Sequence, residues 1–283
     1  MKRSEYKDII QCFESQQCDG TTESLAQVNK VFPTVSHNTL ISIYSQYVQL
    51  KTKKNYGVYS SPYKAQKYYT QYQQRSSDPS NTQGMILVQF ANELDLSPAL
   101  LARVIVERYL FHLSGGEAPV PKNRLTKMLR DPCLIMDPLL SLEVQQCSLV
   151  DSSYGPVVDS IKHSIGEELE VHLKKTLQDH HLAFLDEDDM RKKGYDKTPD
   201  IKLQVPIAVG GRVVNWIESK ALFGDDHSHE NYMKDQLWSY VNRFGSGLVI
   251  YWFGFIEELA TSSEQGIIIA NDFPKTFTIL TPA

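Results

Sequence analysis

Near residue 149 the apolar pattern of the chain changes kind, and that change limits the folds open to it. Before that point almost every apolar residue recurs at helical spacing, with polar and Tyr-rich connections between the periodic runs. After it comes a long amphipathic run, "YGPVVDSIKHSIGEELEVHLKKTLQDH", with Val158, Ile161, Ile165, Leu169, Leu173 and Leu177 sweeping one face. An acidic stretch, "FLDEDDMRKKGYDK", reads as a loop. Two strand-length segments joined by Gly210-Gly211 follow, then a helical run, "ENYMKDQLWSYVNRF", the apolar strand "GLVIYWF", and the strand-like runs "GIIIA" and "TFTIL". Helix, hairpin, helix and strand in that order call for a mixed sheet with helices packed on it. The expected organisation is α + α/β: a helical domain over residues 1–148 and a mixed-sheet domain over residues 149–283.

In the helical half, "GMILVQFANELDLSPALLARVIVERYLFHL" reads as a helix, a short turn and a second helix capped at Ser97 with Pro98 at its first position. "ESLAQVNKVFPTVSHNTLISIYSQYVQ" repeats that logic around Pro33 and Ser36. Two helix-turn-helix-like pairs result, a device used by DNA-binding domains and by ordinary bundles alike. From Lys51 to Arg75 the chain carries Lys51, Lys53, Lys54, Lys64, Lys67 and Arg75, six tyrosines and no acid. Cations neutralise phosphates and aromatic faces stack on bases, so those five lysines are candidate nucleic-acid contacts. A solvated helix whose tyrosines pack on a bundle with wet hydroxyls has the same composition. The following "SSDPSNTQG" reads as a loop between subdomains.

A net charge of -5 argues against a histone-like protein while leaving room for local basic patches. Cys12, Cys18, Cys133 and Cys147 show no C-x-x-C pairing, which fits a reducing nuclear or cytosolic compartment. The start, "MKRSEYKDII", lacks the apolar core of a signal peptide, and the longest apolar run, Gly247 to Ile256, is too short to span a bilayer. A soluble intracellular protein without a membrane partner is expected. The cluster "FGDDHSHEN" offers Asp225, Asp226, His227, His229 and Glu230, types that ligate zinc or manganese, at a spacing that reads as a solvated loop.

The sharper chemistry lies in the hairpin "TPDIKLQVPIAVGGRVVNWIESKA". Strand side chains alternate faces, so Glu218 and Lys220 share a face with Trp216 while Ser219 points the other way. Closing the strands at Gly210-Gly211 brings Asp200 near the position opposite Glu218 and Lys220. Two carboxylates and an ammonium on an apolar element are costly to bury unless they serve one another or a metal. Mg²⁺, which takes oxygen ligands and keeps several waters, suits such a pair.

Pro199-Asp200, a spacer, and Glu218-Ser219-Lys220 resemble the motif of the PD-(D/E)XK nuclease superfamily, in its Holliday-junction-resolvase-like branch. The resemblance covers roughly residues 155–255. Gly166 and Glu170 on the preceding helix resemble the acidic helix position, with Glu168 as the competing choice, and Gln236 and Tyr240 resemble a Gln-x-x-x-Tyr pattern of some exonuclease branches. The implied activity is metal-assisted phosphodiester hydrolysis. Asp200, Glu218 and the Ser219 carbonyl would hold Mg²⁺, with Mn²⁺ as the alternative. Lys220 would position water and offset charge on the phosphate, Glu170 or Glu168 would support the water shell, and Gln236 and Tyr240 would lie near the scissile phosphate and bound strand. Resolvase-like nucleases also work as symmetric homodimers.

Over its whole length the chain resembles the animal family described by its Thr-Pro-Asp motif, here Thr198-Pro199-Asp200, and by its interaction with codanin. That resemblance implies a nuclear or partly cytoplasmic protein with codanin as partner and a role in erythroid development. The rival expectation is a nuclease-fold binding module with a silent site.

Overall fold

The computed structural model describes residues 1–15, 21–78, 84–116, 119–261 and 266–279. Cys18, the centre of the expected 76–84 loop and the end of the "TFTIL" run fall outside them. In order come α1 (Arg3–Ser15), α2 (Thr21–Val31), α3 (His37–Tyr59), α4 (Pro62–Ser76), α5 (Ile86–Glu93), α6 (Pro98–Leu113), α7 (Lys122–Arg130), α8 (Pro138–Val150) and α9 (Pro156–Asp179). Then follow β1 (Phe184–Asp186), α10 (Glu187–Lys192), β2 (Ile201–Val209), β3 (Arg212–Lys220), α11 (Asp226–Tyr232), α12 (Trp238–Phe244), β4 (Gly247–Tyr251), α13 (Glu257–Thr261), β5 (Ile267–Ala270) and β6 (Thr278–Ile279). A π-helical turn, Met233–Leu237, joins α11 to α12.

The described residues form two compact units. One takes in those within Met1–Gln16, Leu25–Ile43 and Lys162–Ala283, the other those within Gln17–Ser24 and Tyr44–Ile161. The division differs from a single boundary at residue 148, because α1 and the start of α3 contact the segments that follow β3 and β4. Tyr6 stacks on Phe223 at 5.7 Å between centroids, and its hydroxyl donates to Asp225. Arg3 pairs with Asp226 at 2.7 Å. Ser36 caps α3 by accepting from the Thr39 amide, the Thr39 hydroxyl donates to the Phe253 carbonyl, and the Phe223 amide donates to the Ser42 hydroxyl.

The sheet is mixed, in the order β1-β2-β3-β4-β5, with β6 paired to β2. The pairs β1–β2, β2–β3 and β2–β6 are antiparallel, whereas β3–β4 and β4–β5 are parallel. Gly210 and Gly211, at φ 55° and 78°, make the β2–β3 turn in a backbone region that side-chain-bearing residues avoid. The ladder slips between Lys202 and Ile207, where Pro206 has no amide hydrogen to donate. On one face Leu173 and Leu177 of α9 pack against Ile201, Leu203, Ile217, Leu248 and Ile250. On the other, Met233, Leu237 and Tyr240 pack against Trp216, Val249 and Tyr251. Every residue of β4 is buried, as expected of a strand covered on both sides.

In the second unit α4, α5, α6, α7 and α8 enclose a core built on Leu87, Phe90, Leu101, Ile105, Leu110 and Leu140. Ser97 caps α6 as its sequence predicts: its hydroxyl accepts from the Leu100 amide, with Pro98 next in line. Tyr68, Tyr69 and Tyr72 belong to this core, so half the tyrosines of the basic segment pack instead of facing a ligand.

Three local expectations are corrected. The "FLDEDDMRKK" stretch is β1 and α10, because Asp186 caps the Asp189 amide and the acids and bases that follow suit the two ends of a short helix. The helix after β3 starts at Asp226, four residues early, capped by Asp225 through the Ser228 amide. The apolar stripe of α9 is divided: Val158, Leu173 and Leu177 are buried, but Ile161 is 55% exposed, at the point where the helix passes from one unit to the other.

Candidate active site

The pairing of Ile201 with Ile217 carries Asp200 opposite Glu218 at the end of the hairpin. Each acid binds the other's strand. The Asp200 amide donates to Glu218 Oε2 at 3.2 Å, and the Ser219 amide donates to Asp200 Oδ2 at 2.7 Å. Alternation puts Glu218 and Lys220 on the face covered by the helix running from α11 to α12, and Lys220 Nζ donates to Glu218 Oε1 at 2.7 Å and to Gln236 Oε1 at 3.0 Å. The ammonium also lies 4.6 Å from the centre of the Tyr232 ring. Ser219 faces the opposite side, where its hydroxyl accepts from the Trp252 indole.

Gln236 reaches Lys220 from the π-helical turn, a distortion that often marks functional positions. One helical turn later, the Tyr240 hydroxyl donates to the Thr198 carbonyl at 2.9 Å. Tyr240 is buried against Trp216, so the expected contact with a strand of nucleic acid gives way to support of the Thr198-Pro199-Asp200 corner. The physical reason is steric: a ring buried in the core against Trp216 presents no face to a base.

The electrostatics follow from burial. Glu218 is 3% exposed, and burial together with the neighbouring Asp200 pushes its carboxyl up to about 8, against the pull of Lys220. Burial likewise raises Asp200, although the Ser219 amide and Lys220 act the other way. Burial alone would lower Lys220, but Glu218, hydrogen-bonded to it, and Asp200 outweigh that and hold it above its ordinary value.

Of the two candidate glutamates on α9, Glu168 and Glu170, the second belongs to this neighbourhood. Burial first, and then the charge of Asp200, raise its carboxyl, while Lys174 one turn along pulls it down. Glu168 is exposed and makes none of the contacts described for the cluster. Two residues that sequence reasoning missed complete the surroundings. Glu187 accepts from the Thr198 hydroxyl at 3.2 Å and from Arg191 at 2.6 Å, and Lys174 pairs with Asp186 at 3.0 Å. The i, i+4 spacing of Glu170 and Lys174 was the available signal for the second.

The donor set suits a hard cation. Asp200 and Glu218 bring two carboxyl groups to one end of the hairpin beside the Lys220 ammonium, which bonds Glu218, and a divalent ion would favour their ionised forms. Among the described residues no three His, Cys, Asp or Glu side chains gather to hold a metal by themselves. A Mg²⁺ ion, content with one or two carboxylates and several waters, asks for no more. The "FGDDHSHEN" cluster is engaged otherwise. Asp225 caps α11, Asp226 pairs with Arg3, His229 hydrogen-bonds the Tyr251 hydroxyl at 2.9 Å, and Glu230 pairs with Lys234.

Residues 136–273 match the family described as "Protein of unknown function TPD sequence-motif". Proteins named CDAN1-interacting nuclease 1 are similar over nearly the whole chain. The Xenopus laevis protein is 49% identical over 92% of this chain and 84% of its own length, and the Homo sapiens protein 45% identical over 99% and 98%. The chain belongs to this family. Its Mus musculus member is 46% identical over 97% of this chain and 95% of its own length, so the likeness takes in the helical unit as well as the sheet. No solved structure matches the chain.

The remaining sequence-predicted residues lie in the helical unit. Lys53, Lys54 and Lys67 are exposed, Lys64 lies 5.8 Å from the Tyr59 ring centre, and Lys51 pairs with Asp95 at 2.6 Å. Among the described residues no helix is long and apolar enough to cross a membrane.

Proposed function

We propose that this protein is a metal-dependent nuclease of the PD-(D/E)XK type, hydrolysing phosphodiester bonds of nucleic acid in the nucleus, with a cytoplasmic pool, and working with codanin as its partner. One observation carries the proposal: Asp200, Glu218 and Lys220 meet at the end of the hairpin, bound to one another and to Gln236. A structural ion pair needs only two of the four.

Asp200 and Glu218, with the Ser219 carbonyl, would hold Mg²⁺ or Mn²⁺, and the chemistry such an ion supplies when bound is Lewis acidity toward a phosphoryl oxygen and a more acidic water. The chain's own residues do the rest. Lys220, fixed by Glu218 and Gln236 on two sides and the Tyr232 ring on a third, directs its charge where negative charge grows on the phosphate, and orients the attacking water. Gln236 accepts from Lys220 through Oε1, which leaves its amide nitrogen to donate to a phosphate oxygen. Glu170, raised by burial and by Asp200, retains a proton more readily than an exposed glutamate and can hydrogen-bond water beside the carboxylates. Tyr240 fixes the backbone from which Asp200 projects.

The test is cleavage of labelled single strands, duplexes, flaps and four-way junctions in DNA and RNA, with Mg²⁺, Mn²⁺ or chelator, by wild type and Glu218→Ala. Metal-dependent cutting lost in the variant supports the proposal and names the substrate. The second reading, a nuclease-fold adaptor, draws on the first half of the relatives' name, which specifies a binding partner, while the second half says nuclease. Folded protein that cuts nothing, while both forms bind codanin, would establish it.

A further inference from the structure

The helical unit holds a pocket that the hydrolysis chemistry does not use. It lies between α4 and α5 and has a volume of about 300 Å³, the lower end of the range typical of small-ligand sites. Tyr63, Lys67, Gln71 and Arg75 line it at four-residue spacing along one side of α4, and Phe90 and Glu93 come from α5 with Leu94 just after it.

The lining is graded. At the base, Phe90 is 1% exposed, with the Arg75 guanidinium 4.3 Å from its ring centre and Tyr68 in T-shaped contact with it. Both Arg75 nitrogens that face Glu93 donate to its carboxylate, at 2.8 and 2.6 Å, so a flat cation is held over the aromatic floor with a carboxylate beside it. At the mouth Tyr63 is 80% exposed, an unusual setting for so large a ring. Lys64 and Lys67 stand beside it, and no carboxylate of the described residues pairs with either of them.

We propose that this pocket binds one unpaired nucleotide of a single-stranded nucleic acid. A guanidinium plane held over phenylalanine and a free tyrosine ring are the surfaces on which bases stack. Lys64 and Lys67 neutralise the phosphates on either side of the bound base. Glu93 and Gln71 offer hydrogen-bond acceptors and donors to its edge, and Glu93 favours bases with an exocyclic amine. A duplex does not fit, because its bases are already stacked on one another. The inference goes beyond hydrolysis and stands without it, since no residue of the pocket belongs to the Asp200–Glu218 cluster.

The experiment uses the full chain in chelator, so that no strand is cut, and reads fluorescence anisotropy of labelled ten-nucleotide single strands of C, A and T or U against a duplex of equal length. DNA and RNA arms distinguish the sugar. Wild type is expected to bind C and A strands more tightly than T or U strands or duplex. Lys64→Glu with Lys67→Glu is expected to weaken binding at least about ten-fold at physiological salt, and Tyr63→Ala about five-fold or more. Lys122→Glu with Arg124→Glu, an equal charge change on exposed residues of α7, is expected to leave most of the binding intact. Tyr63→Trp should give a fluorophore that is quenched when a strand binds. Binding is read in chelator, where nothing is cut, so that loss of cutting and loss of binding are separate results. The proposal is overturned if wild type binds no single strand, if the pocket variants bind as wild type does, if the α7 variant is weakened equally, or if Tyr63→Trp is not quenched by a bound strand.

Discussion

Glu218 does two jobs that pull against each other: it is a core residue of β3 and the acid that joins Asp200 to Lys220. Its carboxyl therefore couples stability to pH. The folded form holds the proton up to about 8, against an ordinary 4.5 in the unfolded chain, so this contribution is fully present below 4.5 and is lost as pH rises toward 8. Without metal, melting temperature is expected to fall between pH 5 and 8.5, and Glu218→Gln to flatten that slope; thermal melts across the range check both. Added Mg²⁺ should raise the melting temperature more at pH 8.5 than at pH 5.5, because only the ionised pair attracts it. For cleavage, Lys220→Met is expected to cost about 10²-fold or more in rate, in single-turnover assays, as the loss of a charge aimed at the transition state. Alternation of side chains along a strand made the Glu218–Lys220 face legible from sequence, whereas the choice of Glu170 over Glu168 needed the rotation of α9 about its own axis, which packing alone fixes.

At the scale of elements, the hairpin and the helix from α11 to α12 act together. Gly247 pairs with Trp216, and any Cβ there would overlap the indole, whose nitrogen donates to the Gly245 carbonyl at 2.8 Å. Gly247→Ala is expected to destabilise the protein by about 1–3 kcal/mol, read from denaturant unfolding, because a buried ring on a packed sheet has nowhere to move. Tyr240→Phe removes only the hydroxyl that holds Thr198, and should cost about 1 kcal/mol in the same experiment. Its cleavage rate should fall further than its stability suggests, since the corner carrying Asp200 is loosened. The strands, their Gly-Gly turn and the Ser97 cap were readable because each rests on a local rule. The π-helical turn was not: "MKDQL" carries no signature that separates it from α-helix, and the contacts on either side of it, Tyr232 with Lys220 and Tyr240 with Thr198, are with residues distant in sequence.

For the molecule as a whole, the sheet unit draws on both ends of the chain. Ile9 and Phe13 of α1 and Leu40 and Ile43 of α3 are buried, and the contacts of Tyr6, Thr39 and Ser42 run to residues 223–253. A fragment starting at residue 149 is therefore expected to be unfolded or strongly destabilised, and to regain structure when a peptide of residues 1–43 is supplied; circular dichroism of the fragment with and without the peptide checks this. The change of grammar near residue 149 precedes the strands, which begin at Phe184, while the compact unit that holds them resumes at Lys162; the same periodicity describes a helix that packs with neighbours in sequence and one that packs with residues two hundred positions away.

The same division sets an order of events during synthesis. The unit within residues 17–24 and 44–161 emerges from the ribosome entire and can close its core at once, since every partner it needs is already made. Residues 1–16 and 25–43, made earlier, must wait with Ile9, Phe13, Leu40 and Ile43 uncovered until β3, β4 and the segments after them have been translated. The first helix made is thus among the last to find its place, and a newborn chain carries an unsatisfied apolar front end through most of its own translation.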